Sequence, residues 1–156
     1  MQIGLHCRFE NIRIRYPHTI SLGSGNAITA GCWLFPSFPN EKQIRIRIGD
    51  NNFFNRDCMV DACGEIIIGN HNMFGPGVYI TDSNHVLAPD RWVTETSMDF
   101  GRVVIGNGCW LGTRATILKG IELGDRCVVG AGAVVTRSFP SNSVIAGVPA
   151  RLIRTQ

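Results

Sequence analysis

The sequence predicts an all-β solenoid, a stack of coils built from short strands joined by sharp corners. Two observations carry that prediction. From Ile105 the chain parses into six consecutive hexads without a gap, IGNGCW, LGTRAT, ILKGIE, LGDRCV, VGAGAV and VTRSFP, each opening on Ile, Leu or Val. The other is glycine: 18 of 156 residues, dispersed along the chain as regularly spaced turns require.

A period of six fits neither an amphipathic helix nor one alternating strand, so each hexad reads as a short strand plus a corner. The first residue is expected to point into the core. The second is usually Gly, as at Gly106, Gly112, Gly124 and Gly130. Pairs such as Gly49-Asp50, Gly69-Asn70 and Gly124-Asp125 are expected to take the positive φ of the corner. The fifth position is expected to be small or apolar, and Cys32, Cys58, Cys109 and Cys127 fall there as core fillers. The same phase opens hexads at Ile48, Phe54 and Val60. After a two-residue slip at Ile66-Ile67 it opens others at Ile68, Phe74 and Ile80, with a weaker set at Leu22 and Ile28. The repeat is thus predicted over most of residues 20–140, in one domain spanning 1–156. His6 and His18 are left in an irregular opening region.

Composition removes several function classes. Hydrophobic residues at 44% and charged residues at 17% describe a folded chain and not a disordered one. A net charge of +3, scattered, is too weak for nucleic acid but suits a small phosphate-bearing ligand. The Arg-Ile-Arg runs at 13–15 and 45–47 read as strands with one apolar and one solvated face. No apolar run approaches the roughly 20 residues of a membrane span. The N-terminus lacks a signal-peptide pattern, so a soluble cytoplasmic protein is expected. The six cysteines contain no C-x-x-C pair. His6, His18, His71 and His85 contain no close pair either, so no metal site is expected.

The hexad phase breaks once, over residues 86–102, which include Pro89 and Trp92. An excursion from a rigid solenoid is where sites are usually built, and His85 stands at its root with a side chain that ionises near neutrality.

The hexads, the opening segment Arg15–Gly23 and the closing Ala-Gly-Val-Pro-Ala-Arg at 146–151 together resemble the hexapeptide-repeat acyltransferases. The resemblance covers nearly the whole chain. It is closest to the galactoside and maltose acetyltransferases and to capsule or O-antigen acetyltransferases of polysaccharide biosynthesis. It implies a left-handed parallel β-helix, three hexads to a coil, with one extended loop at about 86–102. It also implies transfer of an acetyl group from acetyl-CoA to a hydroxyl or amine of a sugar or polysaccharide precursor, with His85 as general base.

Matched onto the family, Asn55 and Phe53 fall on acceptor-binding positions, although Asn55 equally suits corner geometry. The family's acceptor-binding aspartate falls on Cys63, and Asp61 is the candidate replacement, which leaves the sugar open. Trp110, Gly112, Thr113, Ala131, Thr136, Arg137, Arg151 and Arg154 match the acetyl-CoA contacts, with arginines suited to the phosphates. The family further implies a homotrimer with active sites between subunits. A non-catalytic assembly subunit and an acyltransferase for a non-sugar acceptor remain the alternatives. The histidine spacing argues against the zinc-dependent γ-class carbonic anhydrases, which share this fold.

Overall fold

Strands of two to five residues cannot satisfy their backbones alone, so each must pair with its equivalent one coil further on. The computed structural model describes residues 1–38 and 43–156. The chain winds through them as a left-handed parallel β-helix with three sheet faces. The first face carries Gln2–Ile3, Ile20–Leu22, Ile46–Ile48, Ile66–Ile68, Val103–Ile105 and Glu122–Leu123. The second runs from Arg8–Phe9 through Phe53–Phe54, Met73–Phe74 and Trp110–Leu111 to Ser143–Ala146, closed by the antiparallel strand Arg151–Thr155. The third carries Arg13–Ile14, Trp33–Pro36, Met59–Ala62, Tyr79–Thr81, Thr116–Ile117 and Val134–Val135. No helix among the described residues is long and apolar enough to cross a membrane.

Pairing is in register, so hexad positions stack as columns. Ile28, Phe54, Phe74, Leu111 and Val129 form one inward column, none more than 1% exposed. The Phe54 and Phe74 rings stack 4.2 Å apart at 10°. Burial of each such side chain contributes about 1.5–3 kcal/mol. First-position residues therefore face the core, as the repeat predicts.

The corners correct the expected geometry. Positive φ falls on the fourth hexad position, at Asn51, Asp57, His71, Gly108, Arg114, Arg126 and Gly132, and not on the Gly-Asn or Gly-Asp pairs. Glycine at the second position answers a different demand, the close approach of successive coils. A Cβ on Gly69 would lie 2.7 Å from the Gly106 carbonyl oxygen, and one on Gly112 would lie 2.6 Å from the Ala131 nitrogen. The Asp or Asn that follows makes a ladder: the Asp50 N–H donates to Asn70 Oδ1, Asn70 to Asn107 and Asn107 to Asp125, at 2.7–2.8 Å.

The fifth position differs as well. Between the first and second faces it holds Asn26, Asn52 and Asn72, all buried. The Asn52 N–H donates to Asn26 Oδ1, Asn72 to Asn52, and Cys109 to Asn72. Cysteine continues this column as a donor only: the Cys109 thiol donates to the Gly124 carbonyl at 3.3 Å and Cys127 to Pro140 at 3.3 Å, as the Asn52 amide nitrogen does to Gly69. These thiols fill space and also satisfy carbonyls. All six cysteines are free.

Three further boundaries move. The regular coils begin at Gln2 and His6 sits at a corner with φ 59°, so the opening region is irregular only around His18, in the 3-10 turn Pro17–Thr19. Arg45 is buried and not solvated; its guanidinium donates to the carbonyls of Cys63 and Gly64. The hexad opened by Ile80 ends early, because Asn84 and His85 are exposed and belong to a hairpin.

One corner separates the two roles of its residues. Gly69→Ala should cost about 1–3 kcal/mol by forcing the coils apart. His71→Gly, two residues on, should change stability by less than about 1 kcal/mol, because the left-handed backbone there suits glycine. Urea denaturation of both variants checks this; the reverse order would contradict the assignment.

Candidate active site

The interruption of the helix is an antiparallel hairpin, Ser83–His85 paired with Met98–Phe100, leaving the corner between the third and first faces. Its second strand begins beyond the expected loop start and its root lies before it, at Asp82. That carboxylate is fully buried and accepts the Cys63 and Gly64 N–H groups at 2.7 and 2.8 Å. Arg45 holds the carbonyls of the same two residues, so this peptide segment is gripped from both neighbouring coils. Burial pushes the Asp82 carboxyl upward, against the two backbone N–H bonds that favour its charge. The sequence reading missed Asp82, whose Asp at the third hexad position looks like any other corner residue.

His85 is exposed on this hairpin and faces Met98 across the ladder. Beyond it, Leu87 and Trp92 are 82% and 78% exposed, an apolar tip that isolated chains seldom leave uncovered.

A groove of about 370 Å³ lies on the second face and its corner with the third. Phe53, Met73, Trp110 and Val128 stack in register along it, with Met73 and Trp110 more than half exposed. Asn55, Gly112, Thr113 and Ala131 are among its other lining residues. The fold therefore brings together Phe53 and Asn55, expected on the acceptor side, with four of the residues expected to hold the cofactor.

The remaining expected residues divide. Arg151 and Arg154 lie exposed on the last strand of the second face, the groove's own sheet. Thr136 and Arg137 follow the third-face strand Val134–Val135, so they share with His85 the corner between third and first faces. Arg137 stacks over Phe139 at 5.1 Å. Within one chain, the third face stands between His85 and the groove.

Asp61 lies on the third face, where it accepts the Tyr79 hydroxyl at 3.0 Å. Burial pushes its carboxyl above the ordinary 3.8, opposed by the Tyr79 bond and the charge of Arg15. Cys63 is buried beside the clamped peptide and offers no exposed group. Among the described residues no group of His, Cys, Asp and Glu could hold a metal ion.

Comparison with known proteins follows the same lines. Residues 102–137 match the family model described as hexapeptide repeat of succinyl-transferase. A putative lipopolysaccharide biosynthesis O-acetyl transferase of Escherichia coli K12 is 35% identical over 117 residues, covering 70% of this chain and 60% of that protein. The maltose O-acetyltransferase of Clostridium difficile 630 superposes with a TM-score of 0.66 at 27% identity, over 99% of this chain and 66% of that one. A galactoside acetyltransferase in complex with coenzyme A shares the fold, with a TM-score of 0.64 at 24% identity, over 99% of this chain and 64% of that one. Repeat, register and hairpin thus define a hexapeptide-repeat β-helix protein. The chain is similar to hexapeptide-repeat proteins, among them proteins named as sugar O-acetyltransferases. It spans 60% of the length of the first curated relative.

The Asp61–Tyr79 pair yields a signed prediction. A carboxyl whose pKa is raised by folding opposes folding once ionised. That penalty is absent below pH 3.8, where folded and unfolded chains both hold the proton, and it grows as pH rises toward neutrality. Asp61→Asn keeps an acceptor for Tyr79 and removes the charge. Its denaturation midpoint should exceed that of the parent at pH 7, with the difference closing as pH falls below 3.8. A lower midpoint at pH 7 would show that the charge itself holds this face together.

Proposed function

We propose that residues 1–156 form one acetyltransferase domain, which moves an acetyl group from acetyl-CoA to a hydroxyl or amine of a sugar or polysaccharide precursor. The observation that carries this reading is the division of the site. One corner of each chain bears His85, Thr136 and Arg137, and another face bears the groove with Trp110, Thr113, Asn55 and the arginines of the last strand. The two halves complete one another only between chains, which favours a homotrimer closed by threefold symmetry.

The groove suits coenzyme A. Its stacked apolar column matches a narrow pantetheine arm, and Arg151, Arg154 and a neighbouring chain's Arg137 have no carboxylate partner among the described residues, leaving them for phosphates. The galactoside acetyltransferase with the same fold carries coenzyme A, and the lipopolysaccharide O-acetyl transferase is the relative that directs the acceptor toward sugars.

His85 then acts as general base. Its neutral imidazole takes the acceptor's hydroxyl proton while the oxygen attacks the thioester carbon. The new C–O bond forms, the C–S bond breaks, and the imidazolium returns the proton to the departing thiolate. Asn55 can donate its amide to the acceptor or to the developing oxyanion. No covalent enzyme intermediate is needed, since the buried cysteines cannot reach a substrate.

His85→Ala should lower turnover by roughly 10²–10⁴ while coenzyme A affinity, measured by calorimetry, is retained. Near-parental turnover would assign the proton transfer to another group. Light scattering should give about three times the chain mass of 17.1 kDa. Mixed trimers of His85→Ala and Trp110→Ala chains should recover part of the activity that each lacks alone, because some shared sites are then intact. A fully active monomer, or verified mixed trimers with no recovery, would exclude the shared site.

A further inference from the structure

The groove does not end at Asn55. A second concavity, of about 400 Å³, opens beside it on the corner between the second and third faces, lined by Arg56, Asp57, Pro76, Gly77, Thr113 and Arg114. Pro76 and Thr113 line both spaces, so the two are continuous. We propose that this concavity is an oxyanion subsite of the acceptor, so that the preferred acceptor carries a phosphate or carboxylate group next to the sugar held at Asn55. The proposal rests on the transferase reading above and deepens it.

Three features lead there. Arg56 and Arg114 come from different coils, yet both line one concavity, and neither has a carboxylate partner among the described residues. Arg114 takes a left-handed backbone conformation at φ 56°, which nonglycine residues adopt at a cost, and its Cγ lies over Gly77. That glycine matters, because a Cβ there would lie 3.3 Å from Arg114 Cγ and press on the side chain. The one acid in the lining, Asp57, has one carboxylate oxygen packed at Gly31. Asp57 Oδ1 would lie 2.1 Å from a Cβ on Gly31, so this oxygen packs against the preceding coil. Two arginines against one acid leave the space shared with the groove positive.

Asn55 and Arg56 are consecutive, so a sugar bonded to the Asn55 amide places its charged substituent within the reach of Arg56. Two guanidinium groups from the coils on either side of the Pro76-Gly77 coil can then bind the oxyanion in the forked geometry that phosphate and carboxylate share. The arginines already assigned to coenzyme A phosphates lie elsewhere, on the last strand and on the corner after Val135. This concavity is therefore given to the acceptor, with Thr113 at its boundary with the coenzyme groove.

Two arms separate this proposal from the transferase reading. In the first, inorganic pyrophosphate is titrated by calorimetry into the protein saturated with coenzyme A, so that the coenzyme's own phosphate sites are filled. Pyrophosphate should bind, and Arg56→Ala and Arg114→Ala should each weaken it roughly tenfold or more. In the second, thiol release from acetyl-CoA is followed with glucose, glucose 1-phosphate and glucuronate. The charged acceptors should show the higher kcat/KM, and the two variants should lower that preference by a similar factor. Preference for phosphate over carboxylate, or the reverse, identifies the source of the oxyanion. Binding in the first arm with no acetyl transfer to any acceptor would leave the anion site standing and overturn the transferase reading. Absent binding, binding that both variants retain, or an equal loss of coenzyme A affinity in the variants would overturn the subsite.

Discussion

At the corners where the second hexad position is glycine, such as Gly69 and Gly112, successive coils of this protein meet across distances that leave no room for a Cβ. At Gly69 the space between one coil and the next is closed by the Gly106 carbonyl, and at Gly112 by the Ala131 nitrogen. Everything else in the helix follows from holding that spacing. Short strands pair in register only if the corners stack, and inward columns such as Phe54 over Phe74 form only if the strands pair in register. The Asn26–Asn52–Asn72 ladder and the cysteine thiols beyond it tie the same corners from within, where an unpaired polar group would cost about 1–3 kcal/mol.

So regular a stack has little freedom to build a site inside one chain. Its side chains point either into a filled core or out from flat faces. Function is then placed where the regularity is relaxed: in a hairpin whose root is gripped by Asp82 and Arg45, and in a groove where large outward residues stand in register. The clamp at Cys63-Gly64 fixes where the hairpin leaves the helix, and so where His85 is held. The groove offers an apolar trough with cations at its end. The two lie on different sides of the prism, which is why the proposed reaction needs two chains.

Much of this was legible in the sequence because a six-residue period leaves few alternatives. The inward columns and the interruption at about 86–102 follow from counting hexads, whereas the grouping of Trp110, Thr113 and Ala131 was implied by the family resemblance. Less legible was anything that depends on the distance between coils. The second-position glycines suggested positive φ, when their real role is close approach; the positive φ two residues later falls on residues such as His71 and Arg126, whose side chains gave no hint of it. Asn at the fifth position broke the expectation of small apolar residues, although its recurrence at 26, 52 and 72 was a signal that could have been read as a ladder. Asp82 and Arg45 looked like a corner residue and a surface residue. Only their placement on either side of one peptide segment shows what they do.

The central claim is that the reaction occurs between chains, with His85 of one facing the groove of another. A crystal structure of the assembled protein with coenzyme A bound tests it most directly. The account predicts the pantetheine arm along Phe53, Met73, Trp110 and Ala131 of one chain. It predicts the sulfur close enough to the imidazole of another chain's His85 that one acceptor oxygen, about 3 Å from the ring nitrogen, can reach the thioester. Coenzyme A bound outside that groove, or every His85 turned to solvent and remote from the sulfur, would contradict it.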